Sequence, residues 1–328
     1  MKYSTGKNIL VIGATGQIGS ELTPALRERY GTERVTAAGH RREPSEELCN
    51  SGPFLTIDCT DREDLAATVR EHSIGIIYHL AAILSARAEE VPHKAWSVNM
   101  NGLYNVLEVA REFGCAVFAP SSIAAFGPTT PAEGTPQDTL MRPTTMYGVT
   151  KAAGELLCDY YFRRFGVDCR GLRYPGLISY EQLPGGGTTD YAVEIYYEAL
   201  RHGKYICFLR AGTFLDMMYM PDAVRAAVEL MEADPQKLKH RNAFNITSMS
   251  VDPEAIASAI RKHIPDFRLT YRVDPVRQAI ADSWPSSIDD SAAREEFGWQ
   301  PRYGLEPMTA DMLEKLSRKL EHRVLKRG

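Results

Sequence analysis

Two side chains four positions apart have the chemistry of a proton-transfer pair. Tyr147 and Lys151 lie in a stretch with helical character, and residues four apart share one face of a helix. A free phenol has a pKa of about 10 and is a poor base at neutral pH. One positive charge at 4 Å, at an effective dielectric of ~20, contributes ~4 kcal/mol. We therefore expect Lys151 to lower the pKa of Tyr147, so that Tyr147 can take a proton from a hydroxyl group.

A serine upstream could complete this pair. Ser121 and Ser122 follow residues 116–120, a short apolar run that predicts a buried strand. We choose Ser122, because Ser121 is the residue at which the strand would end. Its hydroxyl would orient a substrate oxygen or share the proton with Tyr147. The three residues Ser122, Tyr147 and Lys151 form the predicted catalytic group.

A glycine-rich turn near the N-terminus has the chemistry of a phosphate cradle. Gly13, Gly16 and Gly19 are spaced GxxGxxG, with Gln17 and Ile18 between the last two. The first glycine permits a tight turn, the second lets the backbone approach a pyrophosphate, and the third lets helix and strand pack closely. The N–H groups at the start of the following helix favour the anion. The segment predicts a dinucleotide site.

The residues expected to hold the rest of the dinucleotide leave its type open. An acid normally ends the second strand and binds the adenosine ribose, but residues 37–42 contain none. Arg41 and Arg42 could neutralise a 2′-phosphate, which favours NADP, or both could simply face water. Asp58 could accept a hydrogen bond from the adenine amino group. The fourth predicted strand ends in Leu80, Ala81 and Ala82, where small residues would let the backbone pass close to the cofactor.

Strands and helices alternate through the first half of the chain. Buried strands are predicted at residues 8–13, 35–38, 54–58, 75–80, 116–120 and 168–174, and helices at 18–30, 61–71, 96–113 and 147–165. This order predicts an α/β fold with a Rossmann-type, doubly wound parallel sheet. We assign residues 1–175 to dinucleotide binding, with elements at about 210–248 returning to that domain. Residues 176–328 would mainly bind substrate, with helices at 191–202, 221–232, 253–263 and 308–323.

Composition excludes several classes of protein. The 328 residues are 44% hydrophobic and 24% charged, and the formal net charge is −4. Such a charge gives no general attraction for nucleic acid or an anionic membrane. The six cysteines form no CxxC pair, so we expect reduced thiols and no metal site. The N-terminus reaches the first strand too early for a secretory signal. We expect a soluble intracellular protein, in the cytoplasm or the mitochondrial matrix.

These motifs together resemble the extended short-chain dehydrogenase/reductase family. The similarity extends from the glycine turn through residues 80–82, residues 99–102, Ser122 and the Tyr/Lys pair to residues 287–289 and 297–301. The resemblance implies that Asn99 orders the helix of the site and that Tyr174 and Pro175 line the nicotinamide pocket. It also implies a homodimer built from the helices at 101–113 and 147–165.

The loop after the sixth predicted strand indicates the substrate class. Residues 184–187 are a Pro-Gly-Gly-Gly hinge, and Thr188, Thr189 and Asp190 follow it. Two hydroxyls and a carboxylate suit a small zwitterion, the threonines bonding its carboxylate and Asp190 assisting its ammonium. Asp190 could instead cap the next helix. Closure of the loop on the hinge would exclude water.

The whole run is similar to the short-chain type of L-threonine 3-dehydrogenases. That resemblance implies oxidation of L-threonine to 2-amino-3-oxobutanoate with NAD, without metal. It implies substrate contacts at Ser85 and Trp284 besides the two threonines, although Trp284 also fits a core aromatic. The alternatives are an NAD-containing nucleotide-sugar epimerase or dehydratase and, less favoured because Tyr147 and Lys151 are both present, a redox-sensing regulator.

Overall fold

The computed structural model describes residues 6–182 and 185–325, and side chains as far as residue 321. Pro184 of the predicted hinge lies outside the described residues. The strands are β1 (Asn8–Ile12), β2 (Val35–Gly39), β3 (Phe54–Thr56), β4 (Ile74–His79), β5 (Ala116–Phe118), β6 (Ser121–Ser122), β7 (Cys169–Arg170), β8 (Leu172–Tyr174), β9 (Gly176–Ile178), β10 (Lys204–Cys207), β11 (Leu215–Tyr219), β12 (Phe244–Asn245), β13 (Met249–Val251) and β14 (Arg268–Tyr271).

The helices alternate with these strands in the first half of the chain and dominate the last part. They are α1 (Gly19–Tyr30), α2 (Glu46–Asn50), α3 (Arg62–Glu71), α4 (Ser85–Glu90), α5 (Pro92–Trp96), α6 (Gly102–Phe113), α7 (Met146–Phe165), α8 (Tyr191–His202), α9 (Met220–Glu232), α10 (Pro253–Arg261), α11 (Pro275–Asp282), α12 (Ser291–Phe297) and α13 (Leu305–Leu325).

A six-stranded parallel sheet forms the centre of the fold, in the order β3-β2-β1-β4-β5-β7. Its strands are short apolar runs, so both faces of the sheet must be buried under helices. One face packs on α1 and α9, and the other packs on α3, α6 and α7. The strand order reverses between β1 and β4, and ligands bind at the carboxyl edge beside such a switch point. The predicted Rossmann-type fold is confirmed.

The predicted sixth strand at 168–174 is wrong as one element, because it breaks at Gly171. A Cβ added there would lie 2.4 Å from the carbonyl oxygen of Ala119, so two backbones approach closely at this position. β7 pairs with β5, whereas β8 lies between β6 and β12 in a separate three-stranded parallel sheet. Because of the break, β8 pairs with β6, the short strand that follows β5, instead of continuing the central sheet.

The predicted helix at 96–113 is also interrupted. α5 ends at Trp96, a π-helical turn covers Ser97–Asn101, and α6 continues to Phe113. Such turns insert an extra residue and are frequent at functional sites. Asn99 lies inside the turn.

The chain after β8 contributes to two cores. α9 buries Val224, Ala227 and Leu230 in the core that contains Val11 and Phe118 of the central sheet. A second core is formed mainly by α8, α10 and α13 with the sheets β13-β11-β9 and β10-β14. The domain boundary at residue 175, with elements at about 210–248 returning, stays a prediction.

The described helices have no stretch of the length and apolar character that a membrane crossing needs.

Candidate active site

A cleft opens at the carboxyl edge of the strands. Residues just after β1, β4 and β5 meet there, because parallel strands end on the same side. It collects most of the predicted site: Gly13, Gly16, Gln17, Ile18, Gly19, Leu80, Ala82, Ser85, Ser122, Tyr147, Lys151, Tyr174, Pro175, Thr188, Thr189, Asp190 and Trp284. Four predicted cofactor-binding residues do not line the cleft: Arg41, Asp58, Ala81 and Asn99.

The glycine turn has the shape of a phosphate cradle. Gly13 has φ +88°, which L side chains rarely adopt, and a Cβ there would lie 2.9 Å from the Ala81 nitrogen. A Cβ at Gly19 would lie 2.3 Å from the Gly13 oxygen. α1 begins at this point without a side-chain cap. The N–H groups of Ser20, Glu21 and Leu22 donate to backbone oxygens of the turn, and the positive end of the helix dipole favours an anion beside it. The cradle fits the pyrophosphate of a dinucleotide.

The catalytic helix begins beside the predicted serine. The Thr145 hydroxyl caps α7 by accepting from the Gly148 N–H at 3.1 Å, which fixes the first turn that carries Tyr147. The Tyr147 and Ser122 hydroxyls lie close enough to interact, and this interaction favours the phenolate of Tyr147. Ser122 Oγ also accepts from the Ala124 N–H at 3.2 Å. The structure therefore brings the two predicted proton-transfer hydroxyls together.

Burial raises the pKa of Tyr147 to about 12, and the interaction with Ser122 opposes the rise. This corrects our expectation that Lys151 lowers it. The Lys151 Nζ lies 5.5 Å from the centre of the Tyr147 ring and donates to the Pro120 oxygen at 2.6 Å. Burial also lowers the pKa of Lys151 to about 8, against the opposing charge of Glu155. Without further positive charge in the cleft, desolvation outweighs the ammonium.

Asn99 acts on the catalytic helix through hydrogen bonds. Its Oδ1 accepts from the Ile83 N–H at 2.8 Å, and its Nδ2 donates to the Ile83 oxygen and to Thr150 Oγ1, both at 3.1 Å. Asn99 thus joins the chain after β4 to α7. With Ala81 it lines a smaller cavity behind Lys151. These bonds fit the positioning role that the resemblance implies for Asn99, which stays a prediction.

Polar side chains from two distant segments meet on the far side of the cleft. The Ser85 and Thr188 hydroxyls lie 3.3 Å apart, and the Thr188 N–H donates to Ser85 Oγ at 3.3 Å. Thr189 lies against Gly176, and Trp284 separates the cleft from an outer depression. Trp284 is partly exposed and packs on both neighbouring cores.

Asp190 shapes the glycine loop. Its Oδ2 accepts from the Gly186 and Gly187 N–H groups at 2.9 and 2.7 Å, and its side chain makes no capping bond to α8. The capping alternative is therefore wrong. Burial raises the pKa of Asp190 to about 6, against these two backbone bonds. The carboxylate remains mostly ionised at neutral pH.

The adenosine-end residues lie beyond the cleft, at the ends of β2 and β3. Arg42 Nη1 donates to the Thr15 oxygen at 3.2 Å, and Arg41 is exposed. Asp58 accepts from the Thr60 N–H and hydroxyl at 2.9 and 2.8 Å and lies 3.5 Å from His40 Nδ1.

A buried ion pair beneath the site has no sequence signature. Arg173 donates to Glu155 at 2.8 Å, and both side chains are less than a tenth exposed. The Ser121 hydroxyl donates to the same carboxylate, which separates its role from that of Ser122. Glu155 lies one helical turn beyond Lys151, but helix spacing alone cannot show that this face is buried. Leu84, Ile123 and Leu177 also line the cleft without a signal.

Among the described residues, no group of three or more His, Cys, Asp or Glu side chains could hold a metal ion. The six cysteines are free thiols, five of them buried.

The fold and this cleft define a Rossmann-type enzyme in which a tyrosine, a lysine and a serine face a dinucleotide cradle. A family model matches residues 9–247. The chain belongs to the NAD-dependent epimerase/dehydratase family, and its cofactor is NAD.

Close relatives extend over nearly the whole chain. An uncharacterized epimerase/dehydratase of Staphylococcus aureus is 53% identical over 313 residues, which cover 95% of this chain and 98% of the relative. A solved L-threonine dehydrogenase from Clostridium difficile is 57% identical, with a TM-score of 0.94 and coverage of 95% and 98%. The holo form of a GalE-like L-threonine dehydrogenase from Cupriavidus necator is 52% identical, with a TM-score of 0.91 and coverage of 94% and 99%. A monomeric L-threonine 3-dehydrogenase from a metagenome is 48% identical, with a TM-score of 0.90 and coverage of 94% and 99%.

Proposed function

We propose that this protein is an L-threonine 3-dehydrogenase that oxidises L-threonine to 2-amino-3-oxobutanoate with NAD. One observation carries the proposal: the interacting hydroxyls of Ser122 and Tyr147 line the same cleft as the Ser85 and Thr188 hydroxyls, which lie 3.3 Å apart. A cleft with a proton acceptor on one wall and amino-acid-binding groups on the other suits a small hydroxy amino acid. The similarity to solved threonine dehydrogenases supports the same substrate.

The chain's own residues would move one proton and hold one oxygen. When bound, NAD supplies a hydride acceptor and a positive charge beside the phenol. That charge would offset the burial that raises the pKa of Tyr147 to about 12 in the unliganded protein. Tyr147 then takes the proton of the threonine hydroxyl, while Ser122 donates to the same oxygen. Lys151, anchored on the Pro120 oxygen, keeps a cation near the phenol and would hold the nicotinamide ribose when the cofactor is bound.

The opposite wall would bind the ends of the amino acid. The hydroxyls of Ser85, Thr188 and Thr189 provide donors for the substrate carboxylate. Asp190 contributes a negative charge toward the ammonium and holds the loop through Gly186 and Gly187. Trp284 covers the cleft on its outer side. Loss of water from such a site strengthens each of these interactions.

Initial rates with L-threonine, L-allo-threonine, L-serine and a UDP-sugar, each with NAD, would test the proposal. We expect NADH formation with L-threonine and no turnover of the UDP-sugar. Epimerisation of the UDP-sugar without threonine oxidation would identify the protein as a nucleotide-sugar epimerase, the alternative enzyme class. Binding of NAD without turnover of any of these substrates would indicate a regulator.

Tyr147→Phe tests the mechanism itself. We expect kcat to fall by about 10²–10⁴-fold, the usual contribution of general acid–base catalysis, with NAD still bound because the cradle is unchanged. Titration of NADH fluorescence would check the binding. Turnover near the wild-type rate would contradict the role of Tyr147.

We also propose that the protein is a homodimer. Large apolar side chains on α6 and α7 face solvent, with exposed fractions of 49% for Tyr104, 65% for Leu156, 53% for Tyr160 and 39% for Phe165. Exposed apolar patches of this kind mark protein interfaces. Light scattering should give twice the chain mass, and Leu156→Glu should halve it. Because one similar threonine dehydrogenase is monomeric, a single-chain mass at micromolar concentration would reject the dimer.

A cytoplasmic location is our proposal for the compartment. The similar epimerase/dehydratase chains come from a bacterium, and nothing supports the mitochondrial matrix that the sequence left open. Immunodetection in fractionated cells would test it.

A further inference from the structure

The edge of the cofactor cradle that faces the adenosine is basic. β2 ends at Gly39, and His40, Arg41 and Arg42 follow it, all exposed. In dinucleotide-binding sheets an acid at this position bonds the ribose 2′-hydroxyl, whereas an arginine accommodates a 2′-phosphate. The acid of this segment, Glu43, comes only after the two arginines.

This basic segment lies against the glycine turn. Arg42 Nη1 donates to the Thr15 oxygen at 3.2 Å, and Thr15 lies between the first two glycines of the cradle. A Cβ added to Gly39 would lie 3.0 Å from Thr15 Cγ2, so the end of β2 touches the turn. The Arg42 guanidinium is therefore held at the rim of the cradle, where the adenosine ribose of a dinucleotide belongs.

The nearest acid on the neighbouring strand is already engaged. Asp58, two residues beyond β3, accepts two hydrogen bonds from Thr60 and lies 3.5 Å from His40 Nδ1. Partial burial opposes its ionisation, but the bonds from Thr60 and the charges of His40 and Arg41 hold its pKa below the ordinary value. Asp58 thus neutralises part of the rim and leaves the guanidinium of Arg42 uncompensated by a carboxylate of that strand.

We propose that Arg41 and Arg42 form a subsite for the 2′-phosphate of an adenine dinucleotide, so that this enzyme uses NADP as well as NAD. Arginine presents a planar fork of donors that matches a phosphate group. The proposal rests on the dinucleotide chemistry of the proposed function and not on its amino-acid substrate.

Calorimetric titration with 2′,5′-ADP and with 5′-ADP tests the subsite without catalysis. At low salt we expect 2′,5′-ADP to bind about tenfold more tightly, the equivalent of one good charge-assisted contact. The double variant Arg41→Ala, Arg42→Ala should remove that preference and leave 5′-ADP binding within about twofold. The double variant Arg268→Ala, Arg272→Ala, which deletes two exposed arginines on and just after β14, is the matched control for net charge and should keep the preference.

The variant His40→Asp provides an opposite perturbation. It places a carboxylate at the end of β2, so it should weaken 2′,5′-ADP binding and strengthen that of NAD. The proposal is overturned if wild-type protein binds 2′,5′-ADP no better than 5′-ADP. It is equally overturned if the preference survives the loss of both arginines, because the phosphate is then held elsewhere.

Kinetics with both cofactors separate this proposal from the proposed function. We expect threonine-dependent reduction of NADP and NAD, with the kcat/KM ratio shifting toward NAD by about tenfold in the double arginine variant. A protein that binds 2′,5′-ADP through the arginines but oxidises no threonine would retain the subsite and refute the threonine assignment. Threonine oxidation with NAD but not with NADP would retain the threonine assignment and refute the use of NADP.

Discussion

Gly148, the residue after the catalytic tyrosine, lies where α7 closely approaches the turn that follows Ser122. A Cβ added at Gly148 would lie 2.3 Å from the Ala124 oxygen and 2.6 Å from Pro143 Cβ. Real Cβ contacts are essentially never shorter than 3.0 Å, so Gly148→Ala must move α7 away from the turn after Ser122 by about 0.7 Å. The distance between the Ser122 and Tyr147 hydroxyls would grow by a similar amount.

Such a displacement should affect the rate more than the fold. Misplacing reacting groups by 1 Å can cost about 10²-fold, so we expect kcat for threonine oxidation to fall about 10- to 100-fold. Overpacking of this kind costs about 1–3 kcal/mol of folding free energy, which urea unfolding would measure. NAD affinity should change little, because the glycine turn is untouched.

Gly154→Ala is the matched control on the same helix. Its Cβ would meet only the side chain of Leu103, at 3.1 Å, and a flexible side chain can give way. The gain in helix propensity, up to about 1 kcal/mol, offsets that contact, so kcat should stay within about threefold of wild type. If Gly148→Ala and Gly154→Ala have the same turnover, the close approach at Gly148 does not position the catalytic pair.

Three other predictions concern stability and the substrate loop. Arg173→Met leaves the buried Glu155 carboxylate without its ion-pair partner and should lower the free energy of unfolding in urea by about 3–5 kcal/mol. Arg62→Met removes an exposed ion pair and should lower it by less than about 1 kcal/mol. Similar losses in the two variants would contradict the burial argument. Burial raises the pKa of Glu21 from 4.5 to about 7, against a hydrogen bond from Ser179, so ionisation of Glu21 in the folded protein is costly. Glu21→Gln should therefore stabilise the protein by about 1–3 kcal/mol at pH 8, and the difference should disappear as the pH falls toward 4.5. A constant difference across this pH range would refute the assignment. Asp190→Ala frees the part-buried N–H of Gly186 and the buried N–H of Gly187, at about 1–3 kcal/mol, and should raise KM for threonine about tenfold. Asp190→Asn can still accept both bonds, so it should recover most of the loss if the role is structural and none if the charge binds the ammonium.

The central sheet was predictable because its signals are local. Short apolar runs closed by glycine, proline or an acid mark each strand, and the helices between them show regular apolar spacing. The cradle and the Tyr147–Lys151 pair follow from motifs whose spacing is set by backbone geometry. Strand ends were accurate to one or two residues at β1 and β4.

Features that depend on a second segment were not predictable. The break at Gly171 lies where the backbone approaches the carbonyl of Ala119, a residue 52 positions earlier in the chain. The raised pKa of Tyr147 results from burial by the assembled cleft. Sequence spacing gives the distance between two groups on a helix, but it does not give their desolvation.

The pairing of β8 with β12 has a consequence for synthesis on the ribosome. Asn245, in β12, accepts from Arg173 across a sequence separation of 72 residues, and its side-chain nitrogen donates to the Thr135 and Asp289 oxygens. At about 5–20 residues per second, Asn245 is made roughly 4–14 s after Arg173. During that interval the strand edge beneath the catalytic helix stays open to water and to neighbouring chains. A nascent chain cut at residue 175 would keep that edge open, so we expect such a fragment to bind chaperones more than the full chain does.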